Sequence, residues 1–395
     1  MSRTPDVVIV GAGIFGAAAA CFLAQRRVQV LVLEQREIAA GATGWTSGII
    51  RVHYSNEPEA RLALLSRRYF REWAETVGGT AGFRETGFLR IVGVHDRDRL
   101  RTNVAMLRRI GTAVEVLEPA DLRGLQPDLA VDDVGGAAYE PEGGYAVGVE
   151  AARACVARAI AEGAEVRQGV TVTKLRASGG RITGVETPAG SIPCGRVLVA
   201  AGAWSTALLR PLGLDLPVRV KLIRAGLTSH PPGHAVRHMT TYDDAIGTYF
   251  RPDGGTRTEF GLRYVWDVAP EHTPAAVGLD VLADGARHLA QRIPILAEGG
   301  LVRGWGSPDG FSSDGASIFG AAPGIEGLYL AVAGSGTGFK IAPAAGLGLA
   351  ELLSDEPRPQ VDLAPFRPER FTEGVLLQGA ADYRRPRWRD EPMVD

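Results

Sequence analysis

The stretch DVVIVGAGIFGAAAACFLA, residues 6–24, decides the fold of this 395-residue chain. The residues up to Val10 form a continuous apolar run, which is typical of a parallel strand covered on both faces. A glycine turn follows, and then a run of small apolar residues that reads as a helix. The next apolar run, VQVLVLE at residues 28–34, completes a strand–helix–strand unit. This order predicts a sheet of the Rossmann type.

The turn has the spacing G-x-G-x-x-G, directly after a strand and at the start of a helix. Its first glycine permits the tight turn, the second lets backbone N–H groups approach a pyrophosphate, and the third allows close helix–strand packing. Glu34 ends the second strand, where a carboxylate can accept both ribose hydroxyls. The segment therefore predicts an adenine-dinucleotide site. Its assigned residues are Gly11, Gly13, Ile14, Phe15, Gly16, Glu34 and Gln35.

Two further glycine-rich segments favour FAD over NAD as the dinucleotide. The loop at residues 41–48 follows the ribose-binding acid closely and can donate backbone amides along a long cofactor. The segment GSGTGFK at residues 334–340 would aim the N-terminus of a helix at the electron-rich end of a flavin. The further cofactor-binding residues predicted are Gly41, Ala42, Thr43, Gly44, Ser47, Gly48, Val172, Gly202, Trp204, Gly336, Thr337, Gly338, Phe339 and Lys340.

The overall composition is that of an ordinary globular protein. A net charge of −2 argues against nucleic acid or an anionic membrane surface as the main partner. No apolar run is long enough for a membrane-spanning helix. The N-terminal residues MSRTPD lead straight into a strand without an apolar signal core, so the expected location is cytoplasmic. The three cysteines, Cys21, Cys155 and Cys194, lie far apart in apolar segments and are expected to be buried thiols.

No metal site is predicted. The histidines of SHPPGHAVRHM (residues 229–239) are spaced four residues apart, but the intervening Pro-Pro-Gly prevents one helix from carrying all three. No carboxylate cluster accompanies them.

The predicted fold class is α/β, with a Rossmann-type domain assembled from discontinuous pieces. Fragments of the nucleotide-binding pattern recur at the start, the middle and the end of the chain, with mixed β material between them. The predicted boundaries are 1–80, 145–215 and 320–365 for the FAD-binding domain, 81–144 and 216–319 for an α+β substrate domain, and 366–395 for a C-terminal extension that docks or frays.

Four segments in this order resemble the D-amino-acid oxidase-like FAD superfamily. They are the opening glycine turn, AAGATGWTSG, VAAGAWS and AGSGTGFKIAPAAG. Within that superfamily, the chain resembles the glycine oxidase, sarcosine oxidase and dimethylglycine dehydrogenase branch over about residues 5–355, loosely between 216 and 300. The resemblance implies a substrate domain with a large mixed or antiparallel sheet roofing the flavin. It also implies hydride transfer from the carbon next to an amine nitrogen to flavin N5.

The resemblance extends to residues of the substrate site. GIIRVHY is similar to the sarcosine oxidase segment whose arginine binds the substrate carboxylate, which implies that role for Arg51. SGTGFK is similar to SGHGFK, whose lysine joins that arginine, which implies the same for Lys340. A guanidinium pairs bidentately with a carboxylate, whereas a lysine is disfavoured at a helix start. His53 and Tyr54 are predicted either to orient the amine and line the pocket or to pack.

The chain also departs from its apparent relatives in two places. Relatives that bind FAD covalently use a late cysteine or an early histidine, and VRGWGSPDG and GATGWTSG contain neither, which predicts non-covalent FAD. Sarcosine oxidases use a lysine in the inserted sheet to assist oxygen. The matching stretch here, RTEFGLRYVWD, has no lysine, which puts fast oxidase behaviour in doubt. Lys221 lies on a different strand and receives no role.

The predicted function is FAD-dependent oxidation of the C–N bond of a small amino acid or N-alkyl amino acid, giving an imine. Two alternatives stay open. One is a dehydrogenase or biosynthetic oxidase with another electron acceptor. The other is a catalytically silent FAD-binding subunit of a multi-subunit complex. The expected partners are a small amine or amino-acid substrate, O2 or another acceptor, and further subunits in a homo- or hetero-oligomer.

Overall fold

The computed structural model describes residues 4–271 and 275–383. In chain order its strands are β1 (Val7–Val10), β2 (Val30–Glu34), β3 (Ile49–Ile50), β4 (Phe88–Gly93), β5 (Glu115–Leu117), β6 (Val134–Glu140), β7 (Gly144–Tyr145), β8 (Glu165–Gln168), β9 (Lys174–Ser178), β10 (Arg181–Thr187), β11 (Gly190–Pro193), β12 (Val197–Val199), β13 (Val218–Ser229), β14 (Thr240–Asp243), β15 (Thr248–Asp253), β16 (Arg257–Gly261), β17 (Val265–Trp266), β18 (Ala275–Ala276), β19 (Leu301–Ser312), β20 (Ile318–Ala321) and β21 (Leu328–Val332). The helices are α1 (Ile14–Gln25), α2 (Glu57–Arg71), α3 (Trp73–Thr76), α4 (Arg97–Arg109), α5 (Pro119–Leu125), α6 (Gly148–Ala161), α7 (Ser205–Leu209), α8 (Leu279–Ala290) and α9 (Gly338–Leu353).

The opening strand β1 lies inside a mainly parallel sheet of order β20-β21-β12-β1-β2-β8, in which only β20 runs antiparallel to its neighbour. Its residues are buried on both faces, as the apolar run predicts. Val7 and Ile9 pack into the core formed with α1 and α9. Val8 and Val10 pack into the core formed with the antiparallel strands β9 and β10. A strand with a core on each face has no position for a polar side chain.

A second sheet carries the inserted segments. Its order is β18-β19-β13-β16-β15-β14-β4-β6-β5, with β17 paired to β13. The pairing is antiparallel except between β14 and β4, which run parallel. One face packs on α8 through a core that includes Leu89, Phe250 and Leu282. The opposite face looks toward the carboxyl ends of the parallel strands. This architecture confirms the predicted fold class and its large mixed sheet.

The described fold contains neither a disulfide bond nor a helix that could span a membrane. Cys21, Cys155 and Cys194 are buried, unbridged thiols. Across residues 4–271 and 275–383, no helix has both the length and the apolar character needed to cross a bilayer.

A buried ion pair anchors the C-terminal extension. Arg370 is fully buried, and its Nε and Nη2 lie 2.8 and 2.9 Å from the two carboxylate oxygens of Asp314, in the turn between β19 and β20. Its Nη1 donates to the Phe366 carbonyl at 2.8 Å. The Leu377 amide donates to the same Asp314 carboxylate at 3.2 Å. The described part of the predicted extension 366–395 is therefore docked, and residues 384–395 lie outside the described residues.

Replacing Arg370 by methionine should destabilise the fold by about 3–5 kcal/mol, because it leaves the buried Asp314 charge without its partner. Urea unfolding followed by circular dichroism measures the effect. The matched control is Arg181→Met, whose partner Glu326 lies 2.7 Å away with both side chains more than 60% exposed. That change should cost less than about 1 kcal/mol. Equal midpoints for the two variants would contradict the anchoring role.

Candidate functional site

A continuous cavity of about 480 Å³ runs between the carboxyl ends of the parallel strands and the inner face of the large sheet. The glycine turn after β1, the acidic end of β2 and the loop after β12 form one wall. Alternate residues of the large sheet form the other, namely Lys221, Ile223 and Ala225 on β13 and Ser307, Asp309 and Phe311 on β19. Because side chains alternate across a strand, each of these strands turns one face of this stretch to the cavity.

The first end of the cavity is built around the glycine turn. Gly11 has a φ of +105°, and a Cβ there would lie 2.5 Å from the Ala200 carbonyl oxygen. The two oxygens of the Glu34 carboxylate accept the amides of Ala12 at 2.7 Å and Arg36 at 2.9 Å. The Thr43 hydroxyl accepts the Ile14 amide at 3.0 Å and so ties the 41–45 turn to the start of α1. These hydrogen bonds fix the shape of the turn.

Open space beside several glycines tests whether a dinucleotide fits here. A Cβ built at Gly202 would meet no atom within 4 Å, and one at Gly13 would meet only the Thr43 hydroxyl, at 3.4 Å. Both positions line the cavity, and Gly13 directly precedes the N-terminus of α1. A helix N-terminus with open space before it suits a pyrophosphate. The residues present therefore fit the adenine-dinucleotide half of FAD.

The second end of the cavity lies at the N-terminus of α9. Gly336, Thr337, Gly338, Phe339 and Lys340 all stand on its wall. The Asp309 carboxylate accepts the Gly336 amide at 2.8 Å, which holds the loop before the helix against β19. The positive end of a 16-residue helix faces the cavity here, and it would favour the electron-rich part of a flavin.

Two buried cations, Arg51 and Lys340, share this end. They are only 6% and 5% exposed. The Arg51 guanidinium lies 4.5 Å from the Tyr54 ring centroid and donates to the His53 carbonyl. Burial and then the Arg51 charge lower the pKa of Lys340 well below its usual value, while Glu59 acts in the opposite direction. An anion bound between the two cations would favour the charged form of both.

His53 and Tyr54 support Arg51 from behind instead of standing on the described cavity wall. His53 is fully buried, and its Nε2 lies 2.6 Å from the Tyr383 hydroxyl. Burial lowers the pKa of His53 well below 6.5, so its imidazole is neutral. Burial likewise raises the pKa of the Tyr54 phenol. His53 therefore contributes a neutral hydrogen-bonding side chain, and Tyr54 contributes a neutral ring that packs on the Arg51 guanidinium.

Most of the other predicted residues stand on the cavity wall. These are Gly11, Gly13, Ile14, Phe15, Glu34, Gln35, Gly41, Ala42, Thr43, Ser47, Gly48, Arg51, Val172, Gly202, Trp204, Gly336, Thr337, Gly338, Phe339 and Lys340. Gly16 and Gly44 do not line the cavity. A Cβ at Gly16 would lie 2.0 Å from the Gly11 carbonyl oxygen, and one at Gly44 would lie 2.4 Å from that of Ala39. Both glycines serve backbone packing behind the wall.

Sequence reasoning missed Arg90, which lies on the cavity wall with 5% exposure. Its Nε donates to the Asp244 carboxylate at 2.5 Å, and its guanidinium lies over the rings of Tyr242 and Tyr383. The signal in the sequence was a single charge inside the otherwise apolar strand FLRIVG. Such a charge in a buried strand needs a partner or a ligand.

Sequence reasoning also left Lys221 without a role. In the structure it lies opposite Asp309 across the β13–β19 pairing, and both side chains reach the cavity. Its Nζ lies 3.8 Å from the ring centroid of Tyr264 and 4.1 Å from that of Trp266. The signal was the alternation of β13, which sets Lys221 on the same face as Ile223 and Ala225.

The three clustered histidines do not meet at one point, because only two of them share a partner. His230 and His238 both contact the Thr258 hydroxyl, at 3.0 and 2.8 Å, and His234 is exposed. Among the residues described, no group of histidine, cysteine and carboxylate side chains could hold a metal ion.

Comparison with known proteins agrees with this geometry. The sarcosine oxidase subunit beta of Arthrobacter sp. is 29% identical over 96% of this chain and 94% of its own length. The glycine oxidase of Geobacillus kaustophilus is 27% identical over 93% of this chain and 97% of its own. The crystal structure of glycine oxidase from Geobacillus kaustophilus superposes with a TM-score of 0.82, at 26% identity, covering 93% of this chain and 99% of that one. The FAD dependent oxidoreductase family, DAO, matches residues 6–352. The chain belongs to this family, and its cofactor is FAD.

Asp309 should make anion binding at Lys340 depend on pH. Burial raises the pKa of Asp309 to about 6, although the amides of Gly336 and Gly310 and the Lys340 charge favour its ionised form. Above that pH its negative charge repels a carboxylate ligand. Acetate affinity, followed through the flavin absorbance, should therefore fall roughly tenfold as pH rises through the Asp309 titration.

The controls for this titration are two single variants. Asp309→Asn should bind acetate with an affinity that does not change over the same pH range. Lys340→Met should retain the fall in acetate affinity but move it to higher pH, because the Lys340 ammonium no longer favours the ionised form of Asp309. A step that persists in Asp309→Asn would show that another group controls the binding.

Proposed function

We propose that this FAD-dependent oxidoreductase oxidises the C–N bond of a small amino acid or N-alkyl amino acid to an imine, which water then hydrolyses. The observation that carries the proposal is the pair of buried basic side chains, Arg51 and Lys340, at the end of the cavity where α9 begins. The names of the relatives, sarcosine oxidase and glycine oxidase, support chemistry on a carbon next to an amine nitrogen.

FAD supplies the hydride acceptor for this reaction when it is bound. The glycine turn and Glu34 would hold its adenine half, and the segment 336–340 would hold the flavin. We expect the FAD to be held non-covalently, because the cavity wall of the described chain offers neither a cysteine thiol nor a histidine imidazole.

Arg51 and Lys340 would fix the substrate by its carboxylate. A guanidinium meets a carboxylate in two parallel hydrogen bonds, which sets the orientation of the α-carbon as well as its distance. The Tyr54 ring and the His53 carbonyl limit the movement of the Arg51 guanidinium. The orientation of the reacting carbon is therefore set by groups that are themselves buried.

The same cations would prepare the amine. A nearby positive charge disfavours the ammonium form of a bound amine and so lowers its pKa. Hydride can leave only when the nitrogen has a lone pair to donate, so the neutral amine is the reactive form. The chain then needs no strong catalytic base, which agrees with the lowered pKa of the buried His53, since a lower pKa makes the imidazole a weaker base.

For reoxidation we propose that Lys221 assists molecular oxygen. The stretch 257–267 offers no lysine. Its Glu259 pairs with Arg251, and its Arg263 lies 2.9 Å from Asp284. Lys221 instead brings a cation to the cavity from β13. A fixed cation stabilises negative charge as it develops on oxygen. The alternative is a dehydrogenase that passes its electrons to another carrier.

Purified protein should be yellow, and its flavin should bleach anaerobically with amino acids or N-methyl amino acids but not with amines that lack a carboxylate. Lys340→Met should raise the half-saturating substrate concentration by roughly ten- to hundredfold, because it removes one charged partner of the carboxylate. Stopped-flow absorbance measures both effects, and FAD content should stay near that of the unmodified protein.

The matched control is Lys174→Met, which removes an exposed lysine on β9. It should leave the half-saturating substrate concentration unchanged. Loss of FAD and substrate affinity to the same extent in Lys340→Met would make Lys340 a cofactor residue only. Failure of every amino acid to bleach the flavin, with dithionite still effective, would refute the proposed reaction.

Lys221→Met should slow the reaction of the reduced protein with oxygen by about a hundredfold. The anaerobic bleaching step should change far less, because the Lys221 charge acts on oxygen and not on the substrate carboxylate. Mixing photoreduced protein with oxygenated buffer gives the rate, with Lys174→Met again as control. An unchanged rate in Lys221→Met, together with fast reduction of an artificial dye, would favour the dehydrogenase.

A further inference from the structure

The cavity wall carries a second guanidinium, that of Arg90, which the proposed reaction does not use. Arg90 and its partner Asp244 are 6% and 2% exposed at their side chains, and both line the cavity. Asp244 follows β14, and Arg90 lies in β4 directly opposite Tyr242 in the parallel pairing. The pair therefore lies on the roof, over the cavity.

The surroundings of Arg90 hold it in one orientation but leave one edge open. Asp244 accepts from Nε, and the rings of Tyr242 and Tyr383 lie 4.4 and 5.0 Å from the guanidinium carbon. Within the described residues, the two Nη groups donate to no protein atom. A guanidinium has two edges that can each bind a carboxylate. The Nη1–Nη2 edge is thus available to a ligand.

Arg51 and Arg90 lie close together. The guanidinium carbon of Arg51 lies 5.9 Å from the Tyr242 ring centroid, and that of Arg90 lies 4.4 Å from the same centroid. The two carbons are therefore no farther apart than the sum of these distances, a separation that a small molecule with two acidic ends can bridge. Like charges at this spacing in a buried cavity repel each other, and an anion that contacts both relieves the repulsion.

The C-terminal extension couples the two arginines. The Tyr383 ring lies over the Arg90 guanidinium, and its hydroxyl lies 2.6 Å from His53 Nε2. The carbonyl of the same His53 accepts from Arg51. The Ala381 carbonyl accepts from Asn103 at 2.9 Å, which fixes the extension beside the substrate domain. Tyr383 is a positioning residue for both guanidinium groups.

We propose that Arg90 forms a second anion subsite, so that the preferred substrate is an amino acid with a second acidic group. Arg51 and Lys340 hold the carboxylate next to the reacting carbon, and Arg90 holds the distal acid. The choice of an amino acid as substrate rests on the proposed amine oxidation. The subsite itself requires only that Arg90 binds an anion.

Ligand binding by the FAD-loaded protein tests the subsite without turnover. Acetate and propionate are compared with malonate, succinate and glutarate, which the enzyme cannot oxidise, by flavin absorbance and calorimetry. At least one diacid should bind about tenfold more tightly than the monoacids, because it gains a bidentate charged contact. Arg90→Gln combined with Asp244→Asn should abolish that preference while acetate affinity stays near its original value.

The double variant removes both charges together, so that no buried carboxylate loses its partner and folding is spared. Arg90→Lys keeps the positive charge but loses the planar guanidinium with its paired N–H donors. This variant should retain only part of the preference for diacids. Tyr383→Phe removes only the hydrogen bond between the Tyr383 hydroxyl and His53. It should weaken the binding of monoacids and diacids to the same extent. Arg303→Gln, an exposed change on the same sheet, is the matched control.

Anaerobic bleaching then separates the two proposals. Aspartate, glutamate and their N-methyl derivatives should bleach the flavin at lower concentration than glycine and sarcosine do, and the double variant should reverse the order. An unchanged diacid-to-monoacid ratio in the double variant would overturn the subsite and leave the amine oxidation standing. A diacid preference that depends on Arg90, in a protein that no amino acid bleaches, would support the subsite and refute the amine oxidation.

Discussion

The burial of positive charge is the constraint around which the cavity is built. Arg51 and Lys340 are almost fully buried, and a buried charge is tolerated only with compensating partners. The chain supplies these partners in a layer behind the cavity wall. Glu59 acts on both cations, and the Glu140 carboxylate accepts the Val52 amide at 2.8 Å, next to Arg51 in the chain. Many of the buried polar residues of this region follow from that single requirement.

The parts of the site that could be predicted from sequence are those set by local backbone demands. Gly11 and Gly13 occupy positions where a side chain would clash with the next strand or fill the space of the cofactor, so their spacing is itself a signal. Glu34 follows at a distance that the strand–helix–strand unit dictates. Arg51 and Lys340 became interpretable through resemblance, because neither spacing nor composition alone assigns a carboxylate to them.

The roof of the site could not be predicted, because it depends on strand pairing between distant segments. Lys221 reaches the cavity beside Asp309 only in the register that pairs β13 with β19. Arg90 meets Asp244 because β4 runs parallel to β14, the one parallel contact in that sheet among the residues described. Tyr383 arrives from an extension whose docking depends on the buried Arg370–Asp314 pair. A one-residue shift in either register would turn these side chains to the other face.

The distribution of the cavity wall along the chain has a consequence for biosynthesis. The glycine turn is synthesised before β12, α9 and Tyr383, which complete its surroundings. Until then the two faces of β1 lack their cores and the buried cations lack their partners. The complete cavity wall can therefore form only after α9 has been synthesised. During that interval the nascent chain exposes apolar strand surface, which makes it a natural client for chaperones.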